Sequence, residues 1–134
     1  MQFLLIVKPH ATNSAMAILG KLPKTVNMVK FWTINMDQDI AKQLYQEHKG
    51  KTFYERLIKS MSYGQSVVAL CEAPFNVHEA LRTKWLGPTD PEEARKVEPL
   101  SIRAIYGTKL PFNALHMSDS EKAGKRELQI FFSK

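Results

Sequence analysis

The chain has 134 residues, 44% hydrophobic and 24% charged, which fits a folded globular protein and excludes a disordered or low-complexity one. A net charge of +6 suits anionic ligands, nucleotide phosphates and nucleic acid alike. One cysteine, Cys71, excludes an internal disulfide and fits a reducing compartment. No run is long enough for a signal-peptide core or a membrane span, so the expectation is one soluble, cytoplasmic domain over residues 1–134.

Phe3-Leu4-Leu5-Ile6-Val7 is a continuous apolar run, read as a buried central strand that Lys8-Pro9 ends. A lysine at that point can reach a ligand or simply run out to solvent. Thr12, Asn13 and Ser14 offer caps for a short helix that Gly20 closes. Residues 27–36 are rich in aromatic and β-branched types and read as a strand. Asp37 caps a helix over about residues 39–47, a basic turn follows at residues 48–51, and a second amphipathic helix covers residues 53–61. Residues 66–71 form another buried strand, with Cys71 as a core residue. A helix starting at Asn76 or Val77 runs to Gly87, with His78 on its surface. Residues 89–101 read as a loop with one helical turn, and a helix over residues 120–126 precedes a last strand, Leu128-Gln129-Ile130-Phe131-Phe132. The order reduces to βαββαβ, an α+β class with a ferredoxin-like antiparallel sheet and helices on one face.

The chemistry concentrates at Asn113-Ala114-Leu115-His116-Met117-Ser118-Asp119. Ser118 or Asp119 can cap the following helix, with Glu121 completing a capping box. The positive end of that helix favours a neutral, nucleophilic imidazole at His116 and welcomes a phosphoryl group. Glu127, about three helical turns further on, can fold back and fix the ring's tautomer. The plainer reading is a capping loop that carries a surface histidine and a solvated glutamate. His10 has no carboxylate placed to orient it, and no glycine pattern of a P-loop or a kinase glycine loop is present.

The motif Asn113-x-x-His116-x-Ser118-Asp119 with Glu127 downstream resembles the active-site signature of nucleoside diphosphate kinases. The likeness extends from Ile6-Val7-Lys8-Pro9 to Phe131-Phe132. It implies transfer of the γ-phosphoryl group of a nucleoside triphosphate such as ATP to nucleoside diphosphates, by a ping-pong mechanism through a phosphohistidine at His116. Glu127, Tyr45 and Ser118 would be its catalytic companions. Phe53 would stack on the base with Ala114 on the other side and Leu57 lining the cleft. Lys8 and Asn113 would grip ribose hydroxyls and phosphates, while His48, Thr89 and Arg103 would contact phosphates. Mg²⁺ would be held through the nucleotide phosphates and water, with no protein cage. A homo-oligomer is implied, a hexamer by default, with a tetramer or dimer open.

The chain departs from that pattern in places. The family's arginine falls at Thr83, so the adjacent Arg82 is assigned the role through a shifted helix. His10 and Met117 replace the usual aspartate and glycine, and the loop before Ser101-Ile102-Arg103 is longer, as in a divergent subgroup. The competing class is a catalytically weak regulatory module on the same fold, binding nucleotides or nucleic acid, for which the positive charge speaks.

Overall fold

The computed structural model describes residues 1–132 and contains a four-stranded antiparallel sheet. The strands are β1 (Gln2–Val7), β2 (Asn27–Asn35), β3 (Gln65–Glu72) and β4 (Leu115–Met117), in the order β2-β3-β1-β4. This is the ferredoxin-like arrangement. The helices are α1 (Ala15–Gly20), α2 (Gln38–Leu44), α3 (Tyr54–Ser62), α4 (Phe75–Ala80), α5 (Pro91–Val97), α6 (Ile102–Tyr106) and α7 (Glu121–Phe132). A π-helical turn, Leu81–Leu86, continues α4 up to Gly87. No described helix is long and apolar enough to cross a membrane.

The expectation of helices on one face is corrected: they cover both. Phe3, Leu5 and Val7 of β1 point into a core with Ile18, Leu81, Leu86 and Ile102. Leu4 and Ile6 point the other way, into a core with Leu44, Leu57, Ile58 and Met61 from α2 and α3. This two-sided burial explains why β1 reads as an unbroken apolar run rather than an alternating one. Cys71 is fully buried, and burial pushes its thiol up to about 12, so it is a core residue and not a nucleophile.

The last strand is the largest correction. Residues 128–132 are the end of α7, and β4 is the three-residue segment around His116. Leu128, Ile130 and Phe131 pack against the α2/α3 core from the helix. A five-residue apolar run carries no period that separates a strand from a helix flank. The helix α6 falls within the sequence from Ser101 to Gly107 and was not expected; the Ser101 side chain caps it by accepting from Ala104 N–H at 3.3 Å. The expected capping box at Ser118 and Glu121 does not form. Ser120 caps α7 instead, its Oγ accepting from Ala123 N–H at 3.0 Å. Asp37 does cap α2, accepting from Ile40 N–H at 2.8 Å.

Candidate active site

β4 pairs with β1 so that His116 stands opposite Ile6, on the face that carries the α2/α3 core. Leu115 and Met117, its neighbours, point into the other core. The alternation of a three-residue strand thus delivers one polar ring to the side where Tyr45 lies. The Tyr45 ring meets it edge-on, with centroids 5.4 Å apart.

Glu127 reaches back from α7, and His116 Nε2 lies 2.9 Å from its Oε1. Ser118 Oγ donates to the same oxygen at 2.7 Å and accepts from Leu4 N–H at 3.0 Å. Burial pushes the Glu127 carboxyl up, but its bond to His116, the charge of that ring when protonated, the Ser118 bond and Arg126 outweigh this and hold it below the ordinary value. An ionised carboxylate only accepts, so Nε2 carries the hydrogen. The lone pair of the neutral ring is then on Nδ1.

A cleft of about 420 Å³ opens over His116. Lys8, Tyr45, His48, Phe53, Leu57, Arg82, Thr89, Arg103 and Asn113 all border it with His116 and Glu127. A larger but more open hollow beside Met1, Glu72 and Lys125 holds no aromatic ring and no histidine, so the chemistry belongs to the former.

The cationic wall is buried. Lys8 Nζ donates to Pro111 O at 3.1 Å, and burial with the nearby Arg103 charge lowers its pKa to about 7. Arg103 donates to Gly87 O and Leu115 O at 3.3 and 2.9 Å. Its Nε has no partner among the described residues. Burial and Arg82 bring its pKa down to about 10, against the pull of Tyr45. Arg82 Nη1 donates to Met117 O at 3.0 Å. Thr83 turns away, its hydroxyl bonding Glu79 O and Ala80 O within its own helix. The π-turn accounts for this: it absorbs an extra residue and brings Arg82 to the cleft.

At the opposite end Phe53 is 43% exposed, within 5.3 Å of the His48 ring. Lys51 Nζ donates to His48 Nδ1 at 3.4 Å. Asn113 Nδ2 donates to Thr89 O at 2.9 Å, while its Oδ1 and the buried Tyr45 hydroxyl have no partner among the described residues.

Two expected site residues lie elsewhere. Ala114 does not border the cleft. It is fully buried in the β1/α1 core, turned there by a positive φ of 74°. Leu110 and Pro111 border the cleft from that loop instead. Ser118 lies beneath Glu127, fully buried, rather than in the cleft wall. His78 is also buried, and its Nε2–H donates to Ser118 O at 2.8 Å. Arg56 and Arg126 also line the cleft and were not expected. Arg56 follows Phe53 by one helical turn, a spacing that puts both on one face and was legible. Arg126 donates to Gln43 O and Leu44 O at 2.9 and 3.3 Å, tying α7 to the end of α2.

A family model described as nucleoside diphosphate kinase matches residues 2–134. This chain belongs to the nucleoside diphosphate kinase family. It is 39% identical over 131 residues to a nucleoside diphosphate kinase of Methanocaldococcus jannaschii, covering 94% of this chain and 89% of the relative. To that of Streptomyces avermitilis it is 40% identical over 135 residues, covering 96% and 93%. The solved nucleoside diphosphate kinase of Aquifex aeolicus superposes with a TM-score of 0.89 at 34% identity, over 98% of this chain and 94% of that one. That of Halobacterium salinarum, solved in complex with CDP, gives 0.85 at 26% identity, over 100% and 88%. As a member of this nucleoside diphosphate kinase family the chain is a phosphotransferase that binds nucleotides.

Proposed function

We propose that the chain transfers the γ-phosphoryl group of ATP or another nucleoside triphosphate to nucleoside diphosphates in two half-reactions, with His116 as the carrier. The observation that carries this reading is the 2.9 Å contact of His116 Nε2 with Glu127, which leaves Nδ1 as the nucleophilic nitrogen under a cationic cleft. In the first step Nδ1 forms a bond to the γ-phosphorus, the bond from that phosphorus to the β,γ-bridging oxygen breaks, and the diphosphate leaves with the electron pair. In the second, a terminal β-phosphate oxygen of the acceptor attacks the same phosphorus and Nδ1 departs with its pair. Glu127 stabilises the charge on the ring while the N–P bond exists.

Lys8, Arg82 and Arg103 act on the phosphate oxygens, where charge grows in the transition state. The unpartnered Tyr45 hydroxyl and Asn113 Oδ1 are supplied with partners when nucleotide enters. Phe53 stacks on the base, with Leu110 and Leu57 as its apolar company, which suits every base since each has a π-face. The donor set fits a metal carried by the nucleotide. Cations dominate the wall, with Lys8, Arg56, Arg82, Arg103 and Arg126 all bordering the cleft. A Mg²⁺ ion arriving with the nucleotide would supply charge neutralisation, and Asp119, one of the cleft carboxylates, would be available to its water shell. Exposed apolar residues on β2 (Met28, Val29, Phe31) and around α5 (Val97, Leu100) support self-association of a cytoplasmic protein, by default as a hexamer.

The test is intact mass under non-acidic conditions after incubation with ATP and Mg²⁺, with His116→Ala beside the wild type. One phosphoryl group on wild type alone, discharged by GDP, is the expected result. A wild type that binds ADP yet stays unmodified overturns the kinase reading in favour of a regulatory nucleotide-binding module.

A further inference from the structure

Both backbone groups of Ala114 are held by the segment that follows β1. Its carbonyl accepts from Lys8 N–H at 2.9 Å, and its own N–H donates to His10 Nε2 at 3.0 Å. Ala114 is the only non-glycine residue with positive φ among those described. An alanine keeps that conformation only where surrounding contacts hold it. The His10 ring also stands edge-on to Phe112, with centroids 5.4 Å apart. His10 therefore grips the chain on both sides of Asn113, whose side chain borders the cleft, and does so two residues before His116.

We propose that His10 is a positioning residue of the nucleotide site, and that it holds the turn at residues 113–114 only as the neutral ring, so that nucleotide affinity falls when the ring takes up a proton. The inference rests on the cleft being the nucleotide site. The physical reason is the direction of the bond. Nε2 must offer a lone pair to the Ala114 amide, which requires the hydrogen to sit on Nδ1. A protonated ring presents N–H to N–H, and the clamp opens. Lys8 is the charged group that acts on the ring, while the loop of residues 112–114, β3 and α3 present none to it. Burial and Lys8 both lower its pKa from 6.5. The neutral ring, and with it the clamp, is thus complete at neutral pH and is lost as pH falls below that ordinary value.

The experiment compares wild type, His10→Gln and His10→Phe by calorimetric titration with ADP from pH 8 to pH 5. Glutamine keeps an acceptor and does not titrate; phenylalanine keeps the edge contact and removes the acceptor. His48, His78 and His116 are common to all three proteins, so only differences between the curves count. We expect His10→Phe to bind ADP about tenfold more weakly than wild type at pH 7.5, the loss of about one buried hydrogen bond. We expect wild type to lose about tenfold more affinity than His10→Gln between pH 7.5 and pH 5. The rate of His116 phosphorylation at saturating ATP should change less than threefold in either variant. Parallel pH curves for wild type and His10→Gln overturn the inference, whatever the fate of His10→Phe. A wild type that binds ADP with the expected pH dependence but never gains a phosphoryl group refutes the kinase mechanism alone. Failure of all three proteins to bind ADP at any pH refutes both.

Discussion

Replacing Lys8 with methionine should make the protein more stable and useless to a nucleotide. Lys8 is only 5% exposed, and its pKa lies at about 7 against an ordinary 10.5. Between those values the unfolded chain holds a proton that the folded chain has released, so stability rises with pH across that window, by about 1.4 kcal/mol per pH unit. The whole gap corresponds to about 5 kcal/mol forgone at pH 7 and below. Methionine removes that penalty and loses the bond to Pro111 O, itself about 1 kcal/mol. We therefore expect Lys8→Met to be about 2–4 kcal/mol more stable than wild type at pH 7, with about 2–3 kcal/mol of that advantage gone at pH 9. Urea unfolding at the two pH values, with an unchanged m-value, measures both numbers. Cys71 and Tyr45 ionise higher, by burial first, and are common to both proteins. ADP binding should weaken at least a hundredfold, the usual conflict between a site's function and its stability. A variant no more stable than wild type at pH 7, or a difference that does not shrink by pH 9, would refute the reasoning.

Ser118→Ala should cost about 2–4 kcal/mol in urea unfolding, because it strands the buried Leu4 N–H and removes a charge-assisted donor from Glu127. Glu127 has a folded pKa below its ordinary value, so its contribution is present above that value and lost as pH falls through the folded one. In Ser118→Ala the folded value rises toward the ordinary one, so the loss on acidification should be smaller and complete at a higher pH, read from unfolding midpoints between pH 7 and pH 2. Gly124→Ala should destabilise by about 2 kcal/mol or more despite alanine's better helix propensity, since its Cβ would lie 2.7 Å from Gln2 O, which is backbone and cannot swing aside. Thermal unfolding decides it, and a rise in Tm would contradict the packing of α7 on β1.

Much of the architecture was legible because its signals are local. The apolar run of β1, the aspartate before α2 and the glycine after the π-turn each announce an element by their own chemistry. The motif around His116 was legible as a pattern, while the roles of its members depend on which way a short strand faces. His78 shows where sequence reading stops: nothing in its helix distinguishes a surface ring from one that bonds Ser118 O across the sheet. Ala114 shows the same for backbone, because a positive φ at alanine is imposed by His10 and Lys8 from a hundred residues away. Arg82 lay one place from the expected position, and only the wider turn of residues 81–86 explains how it reaches the cleft.

The placement of β1 between β3 and β4 also dictates when the sheet can close during synthesis. Residues 2–7 leave the ribosome long before Ser118, which bonds Leu4 N–H and follows it by 114 residues. At ordinary elongation rates that interval is on the order of 10 s. Through it, the central strand has one edge without a partner and two apolar faces to hide. A nascent chain that stalls before Leu115 offers that edge to any other strand nearby, so the sequence stays exposed to aggregation until the segment carrying His116 is made.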